Sequence, residues 1–128
     1  MDSRMDMDTV TLVVDAANVV GSVPDGWWRD RRGAAERLRD RLVPLAAAGL
    51  PELPGPLEVV LVVEGRARGV GSVPGVRVDS APASGDDRIV ELVAQVPGPC
   101  VVVTADRELR RRVGELGAEC VGPRTVRN

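Results

Sequence analysis

Five consecutive strand-forming residues, Val10-Thr11-Leu12-Val13-Val14, all β-branched except Leu12, run straight into an acid, Asp15. Rich in β-branched side chains, such a run suits a strand buried on both faces, as in the middle of a parallel sheet. Asp15 then stands where the strand leaves the sheet, and a carboxylate there is costly to bury without a partner. Open α/β folds bind ligands at the carboxyl ends of their strands. A turn carrying an amide, Asn18, follows before Gly21.

The rest of the chain repeats the arrangement. Leu57–Val63 reads as a second strand closed by Glu64, and Val76–Ala81 as a shorter third strand near an edge. Cys100–Val103 is the fourth, followed by Thr104-Ala105-Asp106, and Ala118–Val121 is a short fifth. Between them, apolar residues at helical spacing predict helices. One starts near Asp30 with Ala34, Ala35, Leu38, Leu42 and Leu45 inward, and Pro44 is expected to kink or restart it. A second covers Asp86–Gln95 with Ile89, Val90, Leu92 and Val93 inward, and a third covers Asp106–Leu116 with Leu109, Val113 and Leu116 on one face. Ser22–Gly26, Pro51–Pro56 and the basic, glycine-rich stretch Arg66–Gly75 read as loops. The expected order is β-α-β-β-α-β-α-β in one domain over residues 9–123, with a frayed tail at 1–8 and another at 124–128.

Composition narrows the chemistry. The 128 residues contain no histidine, which removes histidine bases, histidine metal ligands and Ser-His-Asp triads. Two isolated cysteines make no zinc pattern and read as small buried hydrophobes in a reducing cytoplasm. No apolar run approaches the roughly 18 residues of a membrane span, so no membrane association is expected. A net charge of −2 argues against a uniformly basic surface, though a local basic patch is compatible with it. The stretch Gly69–Gly75 lies between two strands and contains Pro74, so it is not a dinucleotide-binding loop, and no Walker motif is present.

What remains is a set of strand-end acids: Asp15, Glu64, the pair Asp86 and Asp87, and Asp106. Successive ends of parallel strands share one edge. Two carboxylates about 6 Å apart repel by about 3 kcal/mol at an effective dielectric near 20. An unpaired cluster therefore destabilises the fold unless a cation neutralises it. Oxygen ligands without histidine or thiolate suit Mg²⁺ or Mn²⁺, ions that serve phosphodiester hydrolysis. Each acid also has a structural reading. Ser84 and Asp87 have the spacing of a capping box, and Asp106 is placed to cap its helix. Asn18 and Thr104 are candidate supports, and Thr104 stands where it can orient Asp106. Arg66, Arg68, Arg88 and Arg107 lie near the proposed crevice and are candidates for holding a nucleic-acid backbone. Trp27 and Trp28 are the only aromatic residues. They are candidates for stacking an unpaired base, for covering the core, or for a homodimer contact.

With these motifs placed, the chain resembles the NYN (YacP-like) branch of the PIN-like nuclease superfamily. Val13-Val14-Asp15-Ala16-Ala17-Asn18 resembles its D-G-x-N first-strand motif, with Ala16 where glycine is frequent. Ser84-Gly85-Asp86-Asp87-Arg88-Ile89 resembles its A-D-[DE]-x-I helix start, and Val103-Thr104-Ala105-Asp106 its [ST]-x-D. The resemblance spans roughly residues 10–121. It implies a Rossmann-like three-layer α/β/α sandwich with a mainly parallel sheet of about five strands, and divalent-metal-dependent RNA cleavage. Carried over, the catalytic and metal acids are Asp15, Asp86 and Asp106, with Asp87 as an adjacent metal acid, Asn18 as the motif amide and Glu64 where an aspartate is frequent. The alternative expectation is an RNA-binding module without catalysis, acting on single-stranded RNA, tRNA or the ribosome. Receiver domains need an acid pair and a lysine, and haloacid-dehalogenase-like phosphatases an Asp-x-Asp. This chain has neither pattern.

Overall fold

The computed structural model describes residues 9–127; the tail expected at 1–8 lies outside the described residues. Five strands form the main sheet: β1 (Thr11–Asp15), β4 (Glu58–Val63), β5 (Val76–Ser80), β6 (Cys100–Val103) and β7 (Glu119–Val121). Their order across the sheet is β5-β4-β1-β6-β7. Every neighbouring pair is parallel. The β-branched run after Val10 is thus the central strand. Val14 pairs with Leu61 on one side and Val103 on the other. Chain order reverses across β1, which makes its carboxyl end the switch point where such sheets open a crevice.

Four helices cover the two faces: α1 (Ala16–Gly21), α2 (Arg31–Ala48), α3 (Gly85–Gln95) and α4 (Arg107–Glu115). Strand periodicity of two divides the core accordingly. Leu12, Val14, Leu61, Val63 and Val103 pack with Val19, Ala35, Leu38 and Leu42 of α1 and α2. Val13, Val60, Val62 and Val102 pack with Ile89, Leu92, Val93, Leu109 and Val113 of α3 and α4. The result is the expected α/β/α sandwich. No helix among the described residues is long and apolar enough to cross a membrane.

Several local expectations are corrected. The turn after Asp15 is a six-residue helix, α1, capped by the Asp15 side chain. Pro44 neither kinks nor restarts α2, which runs unbroken from Arg31 to Ala48. Pro44 and Asp40 both lie on the exposed side, where water can satisfy the Asp40 carbonyl that proline cannot bond. Helix α2 ends at Gly49, whose φ of 82° is left-handed. A Cβ there would come within 2.2 Å of the Gly55 nitrogen, across a small antiparallel hairpin of β2 (Gly49–Leu50) and β3 (Leu53–Pro54). Strands β4 and β5 are parallel without an α-helix between them. Residues 64–75 make that crossover with a 3₁₀ turn, Gly65–Ala67, and their dozen residues are about the minimum such a crossover needs. Leu116, expected inward, is exposed because α4 stops at Glu115. The segment expected to begin a tail at 124 packs back instead: Val126 is buried against the α1–α2 face, and the Arg127 guanidinium donates to the Ser22 carbonyl at 2.7 Å and to its Oγ at 2.9 Å.

Candidate active site

The carboxyl ends of β1, β4 and β6 meet the N-termini of α3 and α4 at one edge. Period two decides which side chains meet there. Val13, Val62 and Val102 all face α3 and α4. Two residues on, Asp15, Glu64 and Thr104 leave the sheet on the same side.

Asp15 is the most constrained of them, at 4% exposed. Its Oδ1 accepts from the Asn18 backbone N–H at 3.3 Å, and its Oδ2 from the Thr104 hydroxyl at 3.0 Å. No cation is paired with it among the described residues. Burial pushes its pKa up from 3.8 to about 6. The two hydrogen bonds oppose that rise, and the negative charges of Asp86 and Glu64 add to it. Thr104, fully buried, is shared: its Oγ1 also accepts from the Asp106 N–H at 3.2 Å. The Asn18 side chain does not reach Asp15; its Oδ1 accepts from the Ala105 N–H at 2.9 Å and ties α1 to the turn after β6.

Asp106 caps α4, its Oδ1 accepting from the Leu109 N–H at 2.8 Å. The structural reading of this acid is therefore correct, yet one oxygen suffices for it. Asp86 stands in the first turn of α3, half-buried, and its pKa is raised. Burial is the main cause, with Asp106 and Glu64 raising it further, while Arg112 opposes. Asp15, Glu64, Asp86 and Asp106 thus feel one another across the edge. Asp87 does not turn into this group. Its carboxylate pairs with Arg112 at 3.0 Å, while its N–H completes the Ser84 cap at 3.1 Å.

Glu64 lies against the start of α3. A Cβ on Gly85 would fall 2.5 Å from its Oε1. Glycine at a helix's first position is a poor helix former. Here it leaves room for the carboxylate, a role for Gly85 that the sequence reading missed. The signal was a glycine directly before the Asp86-Asp87 pair. Arg110 was also missed. Its Nε donates to the Thr104 carbonyl at 2.8 Å, fixing the turn that presents Asp106.

The expected nucleic-acid arginines divide. Arg88 is held by two hydrogen bonds to Asp79, at 2.8 and 2.9 Å. Arg68 donates to the Gly65 and Pro82 carbonyls. Both act within the fold. Arg66 and Arg107 are exposed beside Glu64 and Asp106 and have no partner among the described residues. Trp27 and Trp28 sit in a 3₁₀ turn (Trp27–Arg29), edge to face with centroids 6.1 Å apart. Trp27 is half-buried, and Trp28 is 54% exposed.

The donors offered by this edge are all oxygens, which suits a hard divalent cation. Among the described residues, however, no three acidic or thiol side chains stand close enough together to form a metal-holding group.

Comparison with protein-family models and with curated proteins finds no match. Solved structures do match. A crystal structure of Rae1 (YacP) from Bacillus subtilis superposes with a TM-score of 0.71 at 19% identity, covering 90% of this chain and 70% of that one. A single-substitution mutant of the same protein gives 0.69 at 17%, covering 92% and 72%. The chain therefore has the fold of the Rae1 (YacP) structures, the fold that its resemblance to the YacP-like NYN domain implied.

Proposed function

We propose that this chain is a divalent-metal-dependent ribonuclease that hydrolyses RNA phosphodiester bonds at the β1–β4–β6 edge. One observation carries the reading: a buried aspartate, Asp15, is held by two hydrogen bonds, raised to a pKa of about 6, and flanked by the charges of Asp86 and Glu64, with no cation paired to it among the described residues. A fold that left this uncorrected without use would lose stability for nothing.

In this reading Asp15 and Asp86 would hold the ion, with Asp106 and Glu64 adding their charge beside it. When bound, Mg²⁺ or Mn²⁺ supplies neutralisation of the phosphodiester and activation of the attacking water. Thr104 and the Asn18 N–H hold the Asp15 carboxylate in one orientation, so it loses little freedom on binding. The Asn18 amide and Arg110 hold the 104–106 turn and with it Asp106. Arg66 and Arg107 receive the flanking phosphates. Asp87, engaged by Arg112, is left out of the ligand set.

The lack of a ready-made three-acid group among the described residues favours a second reading, an RNA-binding module without catalysis. One assay separates them. End-labelled structured and unstructured RNAs are incubated with Mg²⁺, Mn²⁺ or EDTA and unaltered, Asp15→Asn or Asp86→Asn protein. Metal-dependent cutting abolished by both substitutions supports the nuclease. Cutting that survives both overturns the site. RNA retention in a gel shift without cutting supports the binding module.

A further inference from the structure

Beside Glu64, on the α1–α2 side of the same edge, a cleft of about 210 Å³ opens. It is lined by Ala17 and Val20 of α1, by Trp27 and by Arg31. The Trp27 ring is fixed in place. It packs at the C-terminal end of α1, where its Cζ2 lies 3.7 Å from the position of a Cβ on Gly21, and it meets Trp28 edge to face. The Arg31 guanidinium lies over the Trp27 ring, 5.4 Å from its centroid, and lines the same cleft. Glu64 also lines the cleft, with its carboxylate turned toward Gly85 of α3.

The cleft is smaller than the roughly 300–1,000 Å³ of sites for drug-sized ligands, so it suits a single flat ring. The indole and the guanidinium over it offer a nucleobase and its phosphate a planar surface to stack on and a charge for the backbone. Its location is equally specific. Ala16 and Ala17 directly follow Asp15, and the charge of Glu64 acts on Asp15. An occupant here is next to the acidic edge.

Resting on the RNA reading above, we infer that the cleft between Trp27 and α1 is a subsite for one unpaired nucleobase of the RNA strand, adjacent to the phosphodiester held at the acidic edge. A base stacked within a duplex does not reach such a slot. The subsite therefore selects single-stranded RNA. Trp28, outside the cleft, supports Trp27 by its edge contact and does not stack.

The test reads Trp27 directly. In Asp15→Asn/Trp28→Phe protein, RNA stays intact and Trp27 is the sole tryptophan. The probes are a single-stranded heptamer RNA, the same heptamer with an abasic residue stepped along it, and its duplex, all with Mg²⁺. The expected result is quenching of Trp27 emission by the heptamer, lost for the duplex and for one abasic position. Trp27→Leu in the Asp15→Asn protein should bind the heptamer about tenfold more weakly, as loss of one stacked base predicts, and the matching abasic heptamer as tightly as its parent does. Equal quenching by intact and abasic RNA overturns the inference, as does undiminished heptamer binding by folded Trp27→Leu protein. If that variant does not fold, the quenching comparison decides alone. Cutting by the unaltered protein alongside either negative result overturns the subsite and leaves the nuclease reading standing. Trp27-dependent binding without any cutting does the reverse.

Discussion

Two aspartates on strands of the same sheet are treated in opposite ways. Asp79, on edge strand β5, is largely covered and receives the Arg88 guanidinium at 2.8 Å, with Arg77 at 3.2 Å. These hold its pKa below the ordinary carboxylate value, the Arg88 hydrogen bonds being the main cause. Asp15, on central strand β1, is more deeply buried and receives only a hydroxyl and a backbone N–H. Burial carries its pKa up to about 6. The chain has 17 basic residues and spends two of them on Asp79. Among the described residues Asp15 has no such counter-charge, the condition that the proposed cation site needs.

The comparison is most directly broken at Asp15 itself. The rise from 3.8 to about 6 corresponds to about 3 kcal/mol. Because the folded pKa lies above the unfolded one, this group's contribution is fully present below pH 3.8 and is lost as the pH rises through about 6. Asp15→Asn should therefore raise the thermal midpoint at pH 8, by about 10 °C, and give little gain at pH 4. Thermal melts at the two pH values measure this, and Mg²⁺ should narrow the pH 8 difference. An unchanged midpoint at pH 8 would mean that the carboxylate is already compensated.

Asp79 should behave oppositely. Its folded pKa is lowered, so its stabilisation is present above the ordinary value of 3.8 and is lost as the pH falls through the lowered one. Asp79→Asn at pH 7 should cost about 2 kcal/mol in urea unfolding, leaving Arg88 with a weaker partner, and RNA cleavage should be unaffected.

A smaller effect tests whether the acids are placed or merely adjacent. A methyl on Gly85 collides with Glu64 Oε1. Gly85→Ala should lower cleavage about tenfold while changing stability by no more than about 1 kcal/mol. Glu64→Asp in the same chain should recover part of the loss, because the shorter side chain withdraws from the methyl. A double-mutant cycle on cleavage rates reads this coupling. The smallest effect is expected at Arg112, whose pair with Asp87 is largely solvated. Arg112→Ala should change stability by less than about 1 kcal/mol, and a larger change would give Asp87 a role in the acid group.

Much of the site was legible in the chain because strands and caps are local. An acid directly after an apolar β-branched run, as at Asp15, or just before a helix, as at Asp106, announces its position without tertiary information. The division of the arginines was not legible. Arg88 and Arg107 both sit in the first turns of helices beside acids. Only the packing of α3 against the sheet brings Asp79, nine residues earlier, against Arg88. Likewise, Asp86 and Asp87 are adjacent and chemically alike, yet helical geometry turns them about 100° apart, one toward the acid group and the other toward Arg112. Pro44 and Val126 mislead for the same reason. Whether a helix tolerates proline depends on which side water reaches, and whether a terminal segment docks depends on the groove it finds.

By itself, the sequence determined the sandwich of a parallel sheet between helices, the central place of the Val10–Val14 run, and the delivery of Asp15, Glu64, Asp86 and Asp106 to one edge. Hydrophobic period and strand polarity are properties of short segments, and they suffice for that. The tertiary structure decided which acids face one another, which arginines are already paired, and where a ring-sized cleft opens beside Glu64. These depend on helices packing across the sheet from distant parts of the chain, and charge pairing is settled only by the distances that this packing sets.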